Sequence, residues 1–152
     1  MIITRARRPR PGIEKWVRFC NPSVPIFYAW LEPSGWIHGP TGEPAALPAG
    51  APAAFCGLGN PESFWLSLRE AGIAPAKRIA FADHHRYTRR QIEEVLQNVA
   101  FAVTTEKDWV KLRDFGFAHI YWLKIQLRID QEEEFWSLVN RAVLSRERDA
   151  SG

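Results

Sequence analysis

Cysteine is scarce in this 152-residue chain: only Cys20 and Cys56 are present, far apart and without metal-ligand spacing. Both are expected as small core residues in a reducing compartment, although sequence alone leaves a disulfide between them open. Long apolar runs are missing too, so nothing is long enough to span a bilayer. No signal peptide is apparent, because Met1-Ile2-Ile3-Thr4 leads straight into arginines, and the expected location is the cytosol or a membrane surface facing it. No Gly-x-x-x-x-Gly-Lys-Ser/Thr occurs, so nothing here cradles a nucleoside triphosphate as a phosphate-binding loop does. No Asp-x-Asp occurs either. That counts against a metal phosphoesterase of the Asp-His-His kind, which needs further carboxylates to hold two metals.

What is present suffices for a core. The chain is 46% apolar with seven tryptophans, enough for one domain or one domain with an appendage. The net charge of +3 is unevenly spread. Arg5, Arg7, Arg8 and Arg10 crowd one end and Arg141, Arg146 and Arg148 the other. The bland reading is a solvated basic surface; the functional one is attraction to anionic lipid headgroups, phosphates or nucleic acid.

Met1–Thr4 reads as the end of a buried strand with nothing before it to pair with. Ile13, Trp16, Val17 and Cys20 have helical spacing, and Asn21-Pro22 stops that helix. Val24–Leu31 reads as a strand, turned by Pro33-Ser34-Gly35 into a second strand at Trp36–His38, a two-stranded ribbon. Gly39–Pro52, dense in proline and glycine, reads as a linker, and the domain boundary is placed there. Beyond it the pattern is regular: strand 53–56, helix from Pro61 with Asn60 as its cap, strand 76–81, helix 89–99 opened by a Thr88/Gln91 capping box, strand 101–103, a short helix from Thr105, strand 119–129, and a last helix capped by Asp130 with Glu133 at the capping-box position. Residues 53–147 thus alternate strand and helix, which predicts an α/β domain with a mostly parallel sheet and flanking helices.

Polar clusters fall at three strand-to-helix junctions. Asp83-His84-His85 offers a carboxylate beside imidazoles, suited to general-base work or metal ligation; a polar loop with exposed histidines is the bland alternative. His38 and His119 are isolated, so zinc has weak support. Gly57-Leu58-Gly59-Asn60 lets backbone approach a phosphate at a helix start, although a tight turn needs the same glycines. Thr105 and Lys107 could face a phosphate, or simply open a solvated helix. In a parallel sheet these junctions share one edge, which favours a ligand-facing rim.

Three blocks are also familiar as a set: Ala54-Phe55-Cys56-Gly57-Leu58-Gly59-Asn60-Pro61-Glu62-Ser63-Phe64, Phe81-Ala82-Asp83-His84-His85-Arg86-Tyr87, and Val103-Thr104-Thr105-Glu106-Lys107-Asp108-Trp109-Val110-Lys111-Leu112. In this order and spacing they resemble the C-terminal part of the tetraacyldisaccharide 4'-kinase (lipid A kinase) family of Gram-negative bacteria. Ile2-Ile3-Thr4-Arg5 is similar to the last strand of that family's P-loop kinase core. The resemblance implies residues 1–52 as a remnant of the core with a β-ribbon and linker, 53–147 as the C-terminal α/β domain, and 148–152 as a frayed tail. It implies phosphorylation of the 4'-hydroxyl of a lipid A disaccharide precursor by ATP with Mg2+, at the cytoplasmic face of the inner membrane, with no nucleic-acid partner. It assigns His84 as the catalytic imidazole with Asp83 beside it, and His85 as the lesser candidate. In the family that histidine pairs with an aspartate of the N-terminal core. Gly57, Gly59, Asn60, Thr105 and Lys107 are the candidates for lying near nucleotide or phosphate. No motif in this chain binds ATP or Mg2+, so it is expected to be a fragment that is inactive alone. The alternative readings are a non-catalytic module binding phosphate or anionic lipid and, less favoured, the Asp-His-His phosphoesterase.

Overall fold

β3 (Ala53–Cys56) is the strand around which the larger part of the structure is built, and every residue in it is buried. Its side chains alternate between two cores. Ala53 and Phe55 pack with Tyr87, Ile92, Val95, Trp109, Leu112 and Ile120. Ala54 and Cys56 pack with Phe64, Trp65, Leu68, Phe101, Val103 and Leu123. A strand covered on both faces reads as a continuous buried run, which is why it is short, small and uncharged.

The computed structural model describes residues 1–149. Its strands are β1 (Ile2–Thr4), β2 (Phe27–His38), β3, β4 (Lys77–Ala80), β5 (Ala102–Thr105) and β6 (Ile120–Ile129), hydrogen-bonded in the order β1-β2-β6-β5-β3-β4. The β1–β2, β3–β4, β3–β5 and β5–β6 pairs are parallel. The Gly39 N–H bonds the Ile120 carbonyl and the Asp130 N–H bonds the Tyr28 carbonyl, so β2 and β6 run antiparallel. The expected α/β class with a mostly parallel sheet and flanking helices is what is found.

The chain divides into two units. The first comprises Met1–Glu32 and the segment from Leu127 onward; the second is Pro33–Gln126. In the first, α1 (Pro11–Cys20) and α5 (Glu132–Asp149) accompany β1 and the adjoining part of β2. Ile3, Ala6 and Tyr28 form a small core there, and Phe27 meets the Phe135 ring edge-on at 5.3 Å. In the second, α2 (Pro61–Glu70), α3 (Arg89–Leu96) and α4 (Glu106–Trp109) follow β3, β4 and β5. Residues 39–52 lie within this unit. Ile37 bridges Pro44, the Ala45 N–H bonds the Trp36 carbonyl, and His38 is held by Thr41 and the Ala118 carbonyl.

Several local expectations are corrected. Pro33-Ser34-Gly35 does not turn the chain; β2 passes straight through it, because its partner is β6, as the Ser34 hydroxyl bond to the Lys124 carbonyl shows. β1 pairs with the strand that follows it, β2, through Ile2–Phe27, Ile3–Tyr28 and Thr4–Ala29, which does not bear on the expectation that nothing before it pairs with it. Asn60 caps α2 with its main-chain carbonyl, which accepts from the Ser63 hydroxyl at 2.7 Å, and not with its side chain. The Asp130 carboxylate is spent on the Tyr28 N–H at 2.6 Å. The Thr88/Gln91 capping box is formed as expected. The last helix runs to Asp149, into the 148–152 stretch expected to fray; residues 150–152 lie outside the described residues.

The cysteines are both free, with Cys56 buried as expected and Cys20 exposed at the end of α1. Burial, and then the charge of Asp108, push the Cys56 thiol up to about 11. At neutral pH it stays protonated and shielded, while Cys20 is open to reagent. A disulfide-exchange reagent such as Ellman's is therefore expected to titrate one thiol in the native chain and two after denaturation. Rapid reaction of both thiols in the native state would contradict the packing around β3.

Candidate active site

The strand order places β3 between β5 and β4. The chain leaves β3 for β4 on one side and then returns to β5 on the other, so the direction of winding reverses between β3 and β5. In open α/β sheets the crevice beyond the strand ends at such a reversal is where ligands bind. The three sequence blocks supply the three strand exits here: Gly57–Asn60 after β3, Phe81–Thr88 after β4, and Thr105–Asp108 opening α4 after β5.

Asp83 is where they meet. Its Oδ1 takes the Lys107 ammonium at 3.3 Å and the His84 N–H at 3.0 Å. Its Oδ2 lies 3.7 Å from His84 Nε2. A Cβ added at Gly59 would sit 3.3 Å from that same oxygen, so the absence of a side chain at Gly59 is what lets the first corner close on the second. The Lys107 bond holds the Asp83 carboxyl below the usual carboxylate range; partial desolvation opposes this, and the His84 N–H and the neighbouring charges reinforce it.

His84 projects outward, its side chain 79% exposed. Its backbone is left-handed, with φ +57°, a conformation that histidine adopts more readily than most side chains. His85 is turned the other way: its ring stacks on Phe81 at 4.7 Å, meets Tyr87 edge-on, and bonds Gln91 Oε1. The adjacent histidines thus divide into one presented to solvent and one that packs the loop.

A second carboxylate lies beneath. Asp108 is fully buried. It accepts the Gly57 N–H at 2.9 Å and the Thr105 hydroxyl at 2.7 Å, and Lys111 Nζ approaches it at 3.3 Å. The Tyr87 hydroxyl is buried in the same place, and a Cβ on Gly57 would come within 2.9 Å of it. Burial, and then the nearby Asp108 charge, raise the Tyr87 hydroxyl well above its usual range.

The structure thus gathers Gly57, Gly59, Asp83, His84, Thr105 and Lys107 around one rim, with Asn60 capping α2 at the end of the first corner. Asp108 and Tyr87 belong to the same cluster. Both lie inside the three sequence blocks, but a charge at a helix start and an aromatic in a loop carry no local mark of burial. Among the described residues no group of three or more His, Cys, Asp or Glu could hold a metal ion.

The sequence profile of a family described as tetraacyldisaccharide-1-P 4'-kinase matches residues 1–144. This chain belongs to that family. The tetraacyldisaccharide 4'-kinase of Rhodospirillum rubrum is 33% identical over 127 residues, which is 81% of this chain and 36% of that protein. That of Maricaulis maris is 37% identical over 94 residues, or 59% of this chain and 25% of the relative. The chain therefore spans about a quarter to a third of these curated relatives. A crystal structure of the "apo" form of LpxK from Aquifex aeolicus in complex with ATP matches with a TM-score of 0.61. It covers 92% of this chain and 50% of that one at 20% identity, a likeness that shows the fold.

Proposed function

We propose that this chain is the part of a tetraacyldisaccharide 4'-kinase that presents the proton-accepting imidazole to the sugar. The reaction is transfer of the γ-phosphoryl group of ATP to the 4'-hydroxyl of the lipid A disaccharide precursor. As the hydroxyl oxygen forms its bond to phosphorus, the bond from phosphorus to the ADP oxygen breaks. The hydroxyl proton passes to the free nitrogen of His84. Such transfers depend mostly on positioning and charge stabilisation, with one group needed to take that proton. The observation that carries this reading is the exposed His84 standing beside a charged Asp83 at the sheet's reversal point. Asp83 stands beside the ring and would stabilise the imidazolium that forms, while the Lys107 bond holds the Asp83 carboxyl below its usual range.

ATP and Mg2+ belong to this proposal as groups held by the rest of the enzyme. The carboxylates near the rim are committed, Asp83 to Lys107 and Asp108 to Gly57, Thr105 and Lys111.

The proposed setting is the cytoplasmic face of the bacterial inner membrane. α1 supports it: Trp16 is 73% and Phe19 81% exposed, next to Arg5, Arg7, Arg8 and Arg10. Aromatic residues beside a basic run suit an anionic interface. The same feature favours, as a second reading, a module that binds anionic lipid without catalysis.

The test is a chimera in which residues 1–144 replace the matching segment of the R. rubrum kinase. 4'-Phosphorylated product from ATP and the precursor is the expected result, and the unjoined chain should give none. A folded chimera that binds vesicles but makes no product would move the assignment to the lipid-binding reading.

A further inference from the structure

A fully buried carboxylate is expensive to desolvate, and a well-packed apolar side chain would often serve stability as well. Asp108 is buried between the chain just after β3 and the end of β5. It is met there by a main-chain amide at a glycine turn, a hydroxyl at a helix start and a lysine ammonium. This is the donor set an anionic ligand receives at such a junction. Here the chain's own carboxylate takes it.

We propose that Asp108 is the positioning residue of the Asp83–His84–Lys107 group, fixing it from behind along two routes. The first runs through Gly57. The Asp108 bond pins the Gly57 amide, and a Cβ at Gly57 would lie 3.3 Å from the carbonyl of Ala82, the residue before Asp83. Two residues further on, Gly59 abuts the Asp83 carboxylate. The Ala82 carbonyl also accepts the His85 N–H, so the turn that carries His84 is built on the same point. The second route runs through α4. The Asp108 N–H bonds the Thr105 hydroxyl, whose proton is given back to the Asp108 carboxylate. That closed first turn sets where Lys107, the preceding residue, reaches Asp83. Breaking the buried carboxylate's contacts loosens both sides of Asp83 together.

The proposal deepens the catalytic reading of that group and rests on it for its functional meaning, but its test needs no turnover. In the isotopically labelled chain, the Asp83 carboxyl is titrated by NMR and exchange of the Gly57 amide is followed. In Asp108→Asn, the Asp83 midpoint is expected to climb toward the ordinary carboxylate value, and the Gly57 amide to exchange about tenfold faster or more. Thr105→Val, which removes one donor and keeps the shape, should move Asp83 in the same direction by less. It carries the test should the asparagine variant not fold. Leu68→Ala, a cavity in the core on the opposite face of β3, serves as the control: it lowers stability and should leave Asp83 where it is. An Asp83 midpoint unchanged in the folded Asp108 or Thr105 variant, or shifted equally by Leu68→Ala, would overturn the proposal and leave Asp108 as a fold element only. Failure of the kinase reading would look different: no product from the chimera, with the Asp83 response intact.

Discussion

Replacing His84 by alanine in the active chimera should lower kcat by about 10²- to 10⁴-fold, the usual worth of a positioned general base. The ring is not needed for the fold. Its side chain is 79% exposed, and its nearest charged neighbour, Asp83, keeps Lys107 as a partner when the imidazole is gone. Thermal stability and KM for ATP should therefore change little while kcat falls. His84→Gly separates chemistry from backbone, since glycine adopts a φ of +57° without strain. It should be as inactive as the alanine variant and at least as stable. His85→Ala is the contrasting substitution. It removes a ring stacked on Phe81, so its effect should appear in the melting temperature first. Equal turnover by wild type and His84→Ala would remove the base from this chain.

The second large effect is expected at a position with no chemistry. A Cβ at Gly39 would sit 2.8 Å from two ring atoms of Trp109 and 2.9 Å from the Ile120 carbonyl oxygen. Trp109 is a core residue, and the Ile120 carbonyl already accepts the Gly39 N–H. Neither can yield cheaply, so Gly39→Ala should cost about 1–3 kcal/mol or more. For a chain of this size that is a drop of about 2–4 °C in Tm for each kcal/mol. Gly12 in α1 has nothing within 4 Å of its added Cβ, and Gly12→Ala should instead raise stability by up to about 1 kcal/mol. Equal melting temperatures for the two variants would mean that Gly39 does not lie against Trp109.

Much of the fold is legible in the residues where the signal is local. Small residues between turn signals mark β3 at Ala53–Cys56, and a four-residue spacing marks the Thr88/Gln91 box. Both signals are local. Pro33-Ser34-Gly35 looks like a turn in isolation and is overruled by a strand whose pairing residues lie some ninety positions away. Asp130 looks like a helix cap and is taken instead by Tyr28, 102 residues distant. Asp108 looks like a solvated charge and is buried, because Gly57 and Lys111 supply what water would have supplied. Sequence neighbours announce caps and turns. They do not announce partners that arrive from elsewhere in the chain.

The division into units has a consequence for how this polypeptide forms. Pro33–Gln126 is contiguous, whereas the other unit is assembled from stretches on either side of it. The contiguous piece is thus an insertion, complete as soon as Gln126 has left the ribosome. Within this chain, Met1–Glu32 meets the rest of its unit only once Leu127 onward has been made, and the core they share around Ile3, Ala6 and Tyr28 is small. Nascent chains halted with Gln126 just clear of the ribosomal exit should already resist protease over the inserted segment, while the amino-terminal stretch is still cut.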